Sequence, residues 1–129
     1  MAQGLKVAVV GATGMVGAEM LRVLEQRAFP IRELVPVASA RSAGKTVTFN
    51  GAELAVVEIA PEVFEGVDLA LFSAGGSTSR EWSPIAASKG ALVVDNSSAF
   101  RMDPAVPLVV AEVNDAAIAT NQGIVANPN

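Results

Sequence analysis

A run of apolar residues that breaks on glycine and passes straight into a helical pattern opens the chain. Lys6-Val7-Ala8-Val9-Val10 leads into Gly11-Ala12-Thr13-Gly14-Met15-Val16-Gly17. A strand buried on both faces of a parallel sheet reads this way, because helices cover both sides of such a sheet. The spacing then predicts a helix over 15–27. Val16, Met20, Val23, Leu24 and Ala28 recur at the three- and four-residue intervals of one helix face. Phe29-Pro30 ends it, since the residue before a proline avoids the α region. Strand, glycine turn and helix in that order commit the chain to an α/β unit with a right-handed crossover.

The alternation continues. Glu33–Ser39 reads as a strand, with Pro36 placing it at an edge or an irregular position. Thr46–Phe49 and Ala55–Glu58 flank Asn50-Gly51, a strong hairpin signal. Pro61–Phe64 fits one helical turn stopped by Gly66. Asp68–Ser73 is a second buried strand. Ser77–Ser88 is a helix stopped by Gly90, with Pro84 predicting a kink or a late start. Ala91–Asp95, Leu108–Val110 and Ile124–Ala126 are further short strands, the last two around a possible helix at Asp115–Thr120. The expected product is one domain over 1–129, α/β, with a mainly parallel sheet.

Composition narrows the chemistry. Of 129 residues, 51% are hydrophobic and 17% charged, enough to bury a core without staples. Cysteine, histidine and tyrosine are all absent. Without them there is no thiol nucleophile, no histidine base and no zinc site of the usual kinds, and no metal site is expected. The net charge of −4 and the lack of a basic patch argue against nucleic acid. The longest apolar stretch is broken by Gly11, Gly14 and Gly17, so no membrane span is expected, and with no signal-peptide pattern the cytoplasm is the expected location.

Four motifs carry potential chemistry. In the first, Gly11-x-x-Gly14-x-x-Gly17, small residues let the backbone approach a pyrophosphate whose charge lies at a helix N-terminus. The bland alternative is a plain glycine-rich turn; the flanking strand and helix favour dinucleotide binding. At the end of the second strand, where an NAD site usually carries Asp or Glu, the segment is Ala38-Ser39-Ala40-Arg41-Ser42-Ala43-Gly44-Lys45. Two hydroxyls and a guanidinium suit the 2′-phosphate of NADP, although a solvated loop arginine is common. Ser39–Thr46 also nearly matches a P-loop, but the β-branched and aromatic residues after it read as strand. Ser73-Ala74-Gly75-Gly76-Ser77-Thr78-Ser79 follows a strand and could wrap a cofactor, or Ser77 or Thr78 could cap a helix. Asp95-Asn96-Ser97-Ser98-Ala99-Phe100-Arg101 could form an anion site, and from pattern alone Arg101 could equally be a surface arginine.

Taken together and in register, these segments, with Pro107–Val110, Glu112-Val113-Asn114 and Asn127-Pro128-Asn129, resemble the N-terminal domain of the aspartate-β-semialdehyde dehydrogenases, bacterial branch. The resemblance implies a Rossmann-like, doubly wound fold and an enzyme that reduces β-aspartyl phosphate to aspartate β-semialdehyde with NADPH, releasing phosphate. It implies a place in lysine, threonine, methionine and diaminopimelate biosynthesis, and a homodimeric full-length enzyme. The family's cysteine nucleophile directly follows Asn-Pro-Asn, and its histidine lies in a second domain, so this chain is expected to be the NADP-binding part, cut before the nucleophile and inactive alone. By position, Gly11, Thr13, Gly14, Met15 and Val16 match the pyrophosphate loop. Ser39, Arg41 and Ser42 match the 2′-phosphate site, and Ser73, Gly75, Gly76 and Thr78 match residues along the cofactor. Arg101 matches the substrate-phosphate arginine, and Asn129 the asparagine beside the nucleophile. Ala111 departs from the proline often found before Glu-Val-Asn.

Three rivals stand beside this reading. One is a naturally short binding module without chemistry. Another is an N-acetyl-glutamyl-phosphate reductase, whose motifs fit the serine-rich runs less well. The third is a short-chain dehydrogenase, which needs a Tyr-xxx-Lys pair that a chain without tyrosine cannot supply.

Overall fold

The computed structural model describes residues 4–28, 30–95 and 124–126. Six parallel strands form the main sheet: β1 (Leu5–Val10), β2 (Ile31–Ala38), β5 (Val57–Glu58), β6 (Leu69–Phe72), β7 (Leu92–Asp95) and β8 (Ile124–Ala126). Their spatial order is β5-β2-β1-β6-β7-β8. A separate antiparallel hairpin joins β3 (Thr46–Phe49) to β4 (Ala52–Ala55). The helices are α1 (Met15–Gln26) and α2 (Gly76–Ser88), with a 3₁₀ turn at Pro61–Phe64. The chain is thus α/β with a mainly parallel sheet. The expected strands at Leu108–Val110 and helix at Asp115–Thr120 lie outside the described residues.

Period-two alternation along β1 builds two cores. Val7 and Val9 face α1 and the hairpin, in a cluster with Leu21, Leu34 and Phe49. Ala8 and Val10 face the other way, clustered with Phe64, Phe72, Ala86 and Val93. All four β1 residues are essentially inaccessible, as expected of a strand flanked by β2 and β6 and covered on both faces.

Pro36 does not put β2 at the rim, because β5 lies outside it. The proline is nevertheless accommodated as an edge residue would be. The Val37 carbonyl accepts from the Gly11 and Ala12 amides on the β1 side, and the Ala38 carbonyl accepts from the Ile59 amide on the β5 side. This alternation turns the Pro36 nitrogen away from β1, at a level where β5, paired only to Val37 and Ala38, does not reach.

Three other expectations are corrected. The hairpin's second strand is Ala52–Ala55, closed by Asn50 (φ 51°) and Gly51 (φ 81°) in the left-handed geometry of a type I′ turn. Val57–Glu58, read as part of it, belongs to the main sheet instead. Helix α2 starts at Gly76 and continues through Pro84 without a late start. Pro84 is exposed, while Ser79, Ser83 and Ala86 are buried on the packed side, and that packing outweighs the missing backbone bond. On α1 the buried residues are Gly17 and Leu21, not Val16, which is 45% exposed. Ala28, with φ 50°, lies past the helix end. The helix turns its glycine toward the sheet; Met20 and Leu24 of the expected face still pack against the cluster of Val7 and Val9, while Val16 and Val23 line, with Leu71, a shallow apolar depression of roughly 330 Å³.

Candidate functional site

Successive connections run from β1 toward β2 on one side and from β6 toward β7 on the other, so the sheet reverses its winding between β1 and β6. Ligands of open α/β sheets bind outside the carboxyl ends of the strands at such a reversal. A cleft of roughly 510 Å³ opens there.

Its first wall is the turn after β1, with Val10, Gly11, Thr13 and Gly14 at the surface of the cleft. Gly11 has φ 90°, and a Cβ on it would stand 3.0 Å from the Ala74 backbone. Glycine is required there both by conformation and by the close approach of the β1 and β6 turns. Gly14 is the N-cap of α1, with extended backbone and no side-chain cap. Its amide is bonded to the Gly11 carbonyl at 3.1 Å, and the amides of the first helical turn have no intrahelical acceptor. A Cβ on Gly14 would meet only the Gly11 oxygen, at an ordinary 3.6 Å. Gly17 differs sharply, since its Cβ would fall 2.1 Å from that same oxygen.

The wall after β2 is a tight turn. The Ser42 and Ala43 amides both donate to the Ser39 carbonyl, at 2.9 and 3.0 Å, and the Gly44 amide to Val56 at 3.0 Å. Ala38, Ser39 and Ser42 line the cleft from this turn. Arg41 stands exposed between the two serines. The strand that follows, β3, removes the P-loop alternative, because no helix N-terminus follows the Gly-Lys pair.

The third wall follows β6. Ser73 donates both its amide (2.9 Å) and its hydroxyl (3.1 Å) to the Val10 carbonyl, tying the two turns together. Gly75, at φ 104°, is the N-cap of α2, again with no side-chain cap. Capping by Ser77 or Thr78 is therefore not what the structure uses. Both lie inside the first helical turn, and Thr78 lines the cleft.

Of the residues singled out in the sequence, Gly11, Thr13, Gly14, Ser39, Ser42, Ser73 and Thr78 meet in this one cleft. Met15, Val16, Arg41, Gly75 and Gly76 do not line it, although each lies within two residues of one that does, and Val16 lines the apolar depression instead. Met15, 91% exposed, and Val16 could contribute only first-turn amides. Arg101 and Asn129 lie outside the described residues. Ile59 and Trp82 line the cleft without having been singled out. The available signal for Trp82 was its place four residues after Thr78, on the same face of α2.

The cleft is suited to an anion. Two uncapped helix N-termini adjoin it, hydroxyls line it, and among the described residues no carboxylate does. Glu19, whose carboxyl is held below the usual carboxylate value by its hydrogen bond to Arg22, borders the other, apolar depression instead. Among the described residues no cluster of His, Cys, Asp and Glu could hold a metal ion. Among them, too, no helix is long and apolar enough to cross a membrane.

Residues 6–121 match the family model of the semialdehyde dehydrogenase NAD binding domain. The chain is 58% identical over 129 residues to the aspartate-semialdehyde dehydrogenase of Bacillus subtilis, covering 100% of this chain and 37% of that protein. It is similar in structure to aspartate semialdehyde dehydrogenase II of Vibrio cholerae complexed with ASA. That similarity has a TM-score of 0.94 and 52% identity, over 98% of this chain and 42% of that one. It is also similar to the aspartate semialdehyde dehydrogenase of Candida albicans with NADP, with a TM-score of 0.78 and 26% identity, over 97% of this chain and 42% of that one.

Proposed function

The chain belongs to the semialdehyde dehydrogenase family, whose NAD-binding domain it matches over residues 6–121, and on that premise we propose that its cleft binds NADP for the reductive dephosphorylation of β-aspartyl phosphate to aspartate β-semialdehyde. The observation that carries the cofactor reading is the anion-suited cleft over the β1/β6 reversal, with an uncapped helix on each side of it. The pyrophosphate would lie against the first-turn amides of α1 with Gly11, Thr13 and Gly14. Ser39 and Ser42 would face the adenosine ribose with Arg41 over its 2′-phosphate, and Ser73, Gly75, Gly76 and Thr78 would follow the cofactor toward α2. When bound, the cofactor supplies hydride; the protein's part is to orient it and exclude water. Arg101 and Asn129 are proposed for the substrate side, Arg101 toward the phosphate group. The reaction would serve lysine, threonine, methionine and diaminopimelate synthesis, in a homodimeric enzyme.

Calorimetric titration of the chain tests the cofactor reading: NADP is expected to bind more tightly than NAD, and equal affinity for the two, or no binding, would overturn it. The chain spans 37% of its Bacillus subtilis relative and contains no cysteine and no histidine. Thiolate attack and imidazole acid–base steps are therefore not available from its own side chains. The purified chain is expected to show no phosphate-dependent oxidation of aspartate semialdehyde when NADPH formation is followed. Measurable turnover would refute that division of labour.

A further inference from the structure

Glu25 occupies an unfavourable place on α1. It lies in the last turn of the helix, which carries no basic residue, and a carboxylate there faces the negative end of the helix dipole. Its Oε2 accepts a hydrogen bond from the Asn50 backbone amide. Asn50 follows the last pair of the hairpin ladder, Phe49 with Ala52, and turns the chain at φ 51°. The ladder therefore leaves its amide to an outside acceptor, and a charged one on α1 meets it.

The hairpin carries that contact to the cleft. Phe49 is buried in the cluster that contains Leu21 of α1, with Val47 and Leu54 packed against it. At its other end the ladder continues past Thr46 and Ala55. The Val56 amide donates to the Lys45 carbonyl at 2.8 Å, and the Gly44 amide to the Val56 carbonyl at 3.0 Å. Gly44 closes the turn that begins at Ser39, and Ser39 and Ser42 of that turn line the cleft. The 12 residues of α1 span about 18 Å, from the Gly14 cap at the cleft to the Glu25 contact. Strand β3 leaves the serine turn and reaches Asn50 beside the far end of that helix.

We propose that Glu25 is a positioning residue for cofactor choice: by holding Asn50 it fixes the hairpin and, through it, the Ser39–Gly44 turn that carries Arg41. This rests on the NADP reading above. The first-turn amides of α1 stand on the helix itself, so the pyrophosphate contact does not depend on the hairpin. The 2′-phosphate contact does, because the turn is continuous with the hairpin ladder. Loosening the tip is thus felt by NADP and far less by NAD, which has no 2′-phosphate.

Calorimetric titration of the wild-type chain and its variants with both cofactors tests this. Glu25→Ala, which puts a strong helix former in place, should weaken NADP by about 5-fold, within what one hydrogen bond is worth. NAD affinity should hardly change. Glu25→Gln, whose amide oxygen can accept from the same N–H, should recover most of the NADP affinity. In an Arg41→Ala background, Glu25→Ala should cost nothing further, because the guanidinium it positions is gone. Equal weakening of both cofactors with a lower melting temperature would mark a merely structural contact and overturn the proposal, as would a Glu25→Gln chain that behaves like Glu25→Ala. A wild-type chain that prefers NADP and keeps that preference in Glu25→Ala removes Glu25 alone. A wild-type chain without that preference removes the NADP reading, and the proposal with it.

Discussion

Replacing Gly17 by alanine is expected to destabilise the chain by on the order of 3 kcal/mol, a cost at the upper end for overpacking, and to lower its melting temperature by about 10 °C. The added Cβ would lie 2.1 Å from the Gly11 carbonyl oxygen and 2.9 Å from the Ala12 Cα. Both are backbone atoms, so no rotamer change relieves the clash; α1 must move off the sheet. That motion would loosen Leu21 from its cluster with Val7 and Val9 and shift the helix N-terminus away from the cleft. Gly14→Ala is the informative partner, because its Cβ would meet only an ordinary 3.6 Å contact. It should change stability by less than about 1 kcal/mol, the scale of an N-cap exchange. Yet it should weaken NADP by about tenfold or more, since a methyl there intrudes on the approach to the phosphates. Differential scanning calorimetry and ligand titration on the two variants separate a packing glycine from a binding one. Equal melting losses in both would contradict this assignment.

That distinction shows what was legible in the sequence and what was not. The Gly11–Gly17 spacing and the flanking strand and helix announced the first turn, but three glycines in a string look alike. Only the geometry shows that Gly11 serves conformation and strand approach, Gly17 helix packing, and Gly14 neither. The parallel strands were readable because burial on both faces leaves continuous apolar runs such as Val7–Val10. The rotation of α1 was not, because glycine carries no hydrophobic signal, so periodicity chose Val16 where packing chose Gly17. Val57–Glu58 was misassigned for a related reason. A two-residue strand has no period, and its membership in the main sheet depends on a pairing with Val37 and Ala38, twenty residues away. The motif residues that line the cleft stood out in the sequence because small and hydroxylated types gather directly after the strands that end there. Trp82 and Ile59 were missed because an aromatic or branched residue on a packed element reads as core, and here each is also wall.

Reversing the charge of Arg41 is the second change with a large expected effect. The turn that carries it is held by the Ser42, Ala43 and Gly44 amides, so the Arg41 backbone is set between two cleft serines while its side chain stands exposed to solvent. An arginine fork pairs with a phosphate dianion through charge-assisted hydrogen bonds worth about 1.5–3 kcal/mol, or roughly 10- to 150-fold in affinity. Arg41→Glu removes these bonds and adds repulsion, so NADP should weaken by at least about that factor. NAD, which lacks the 2′-phosphate, should bind as before or better, because a carboxylate at the end of a second strand can accept from a ribose hydroxyl. Lys45, also exposed in this loop, is the control: it follows Gly44 at the foot of the turn, where the Val56 amide holds its carbonyl at 2.8 Å. Lys45→Glu should shift the NADP-to-NAD ratio far less. Because the site is open to water, the wild-type preference for NADP should also shrink as salt is raised, while in Arg41→Glu added salt should instead relieve the new repulsion and improve NADP relative to NAD. Calorimetry of both cofactors at two ionic strengths reads all of this at once. A preference unchanged by Arg41→Glu would remove Arg41 from the site and leave Ser39 and Ser42 as the source of any discrimination.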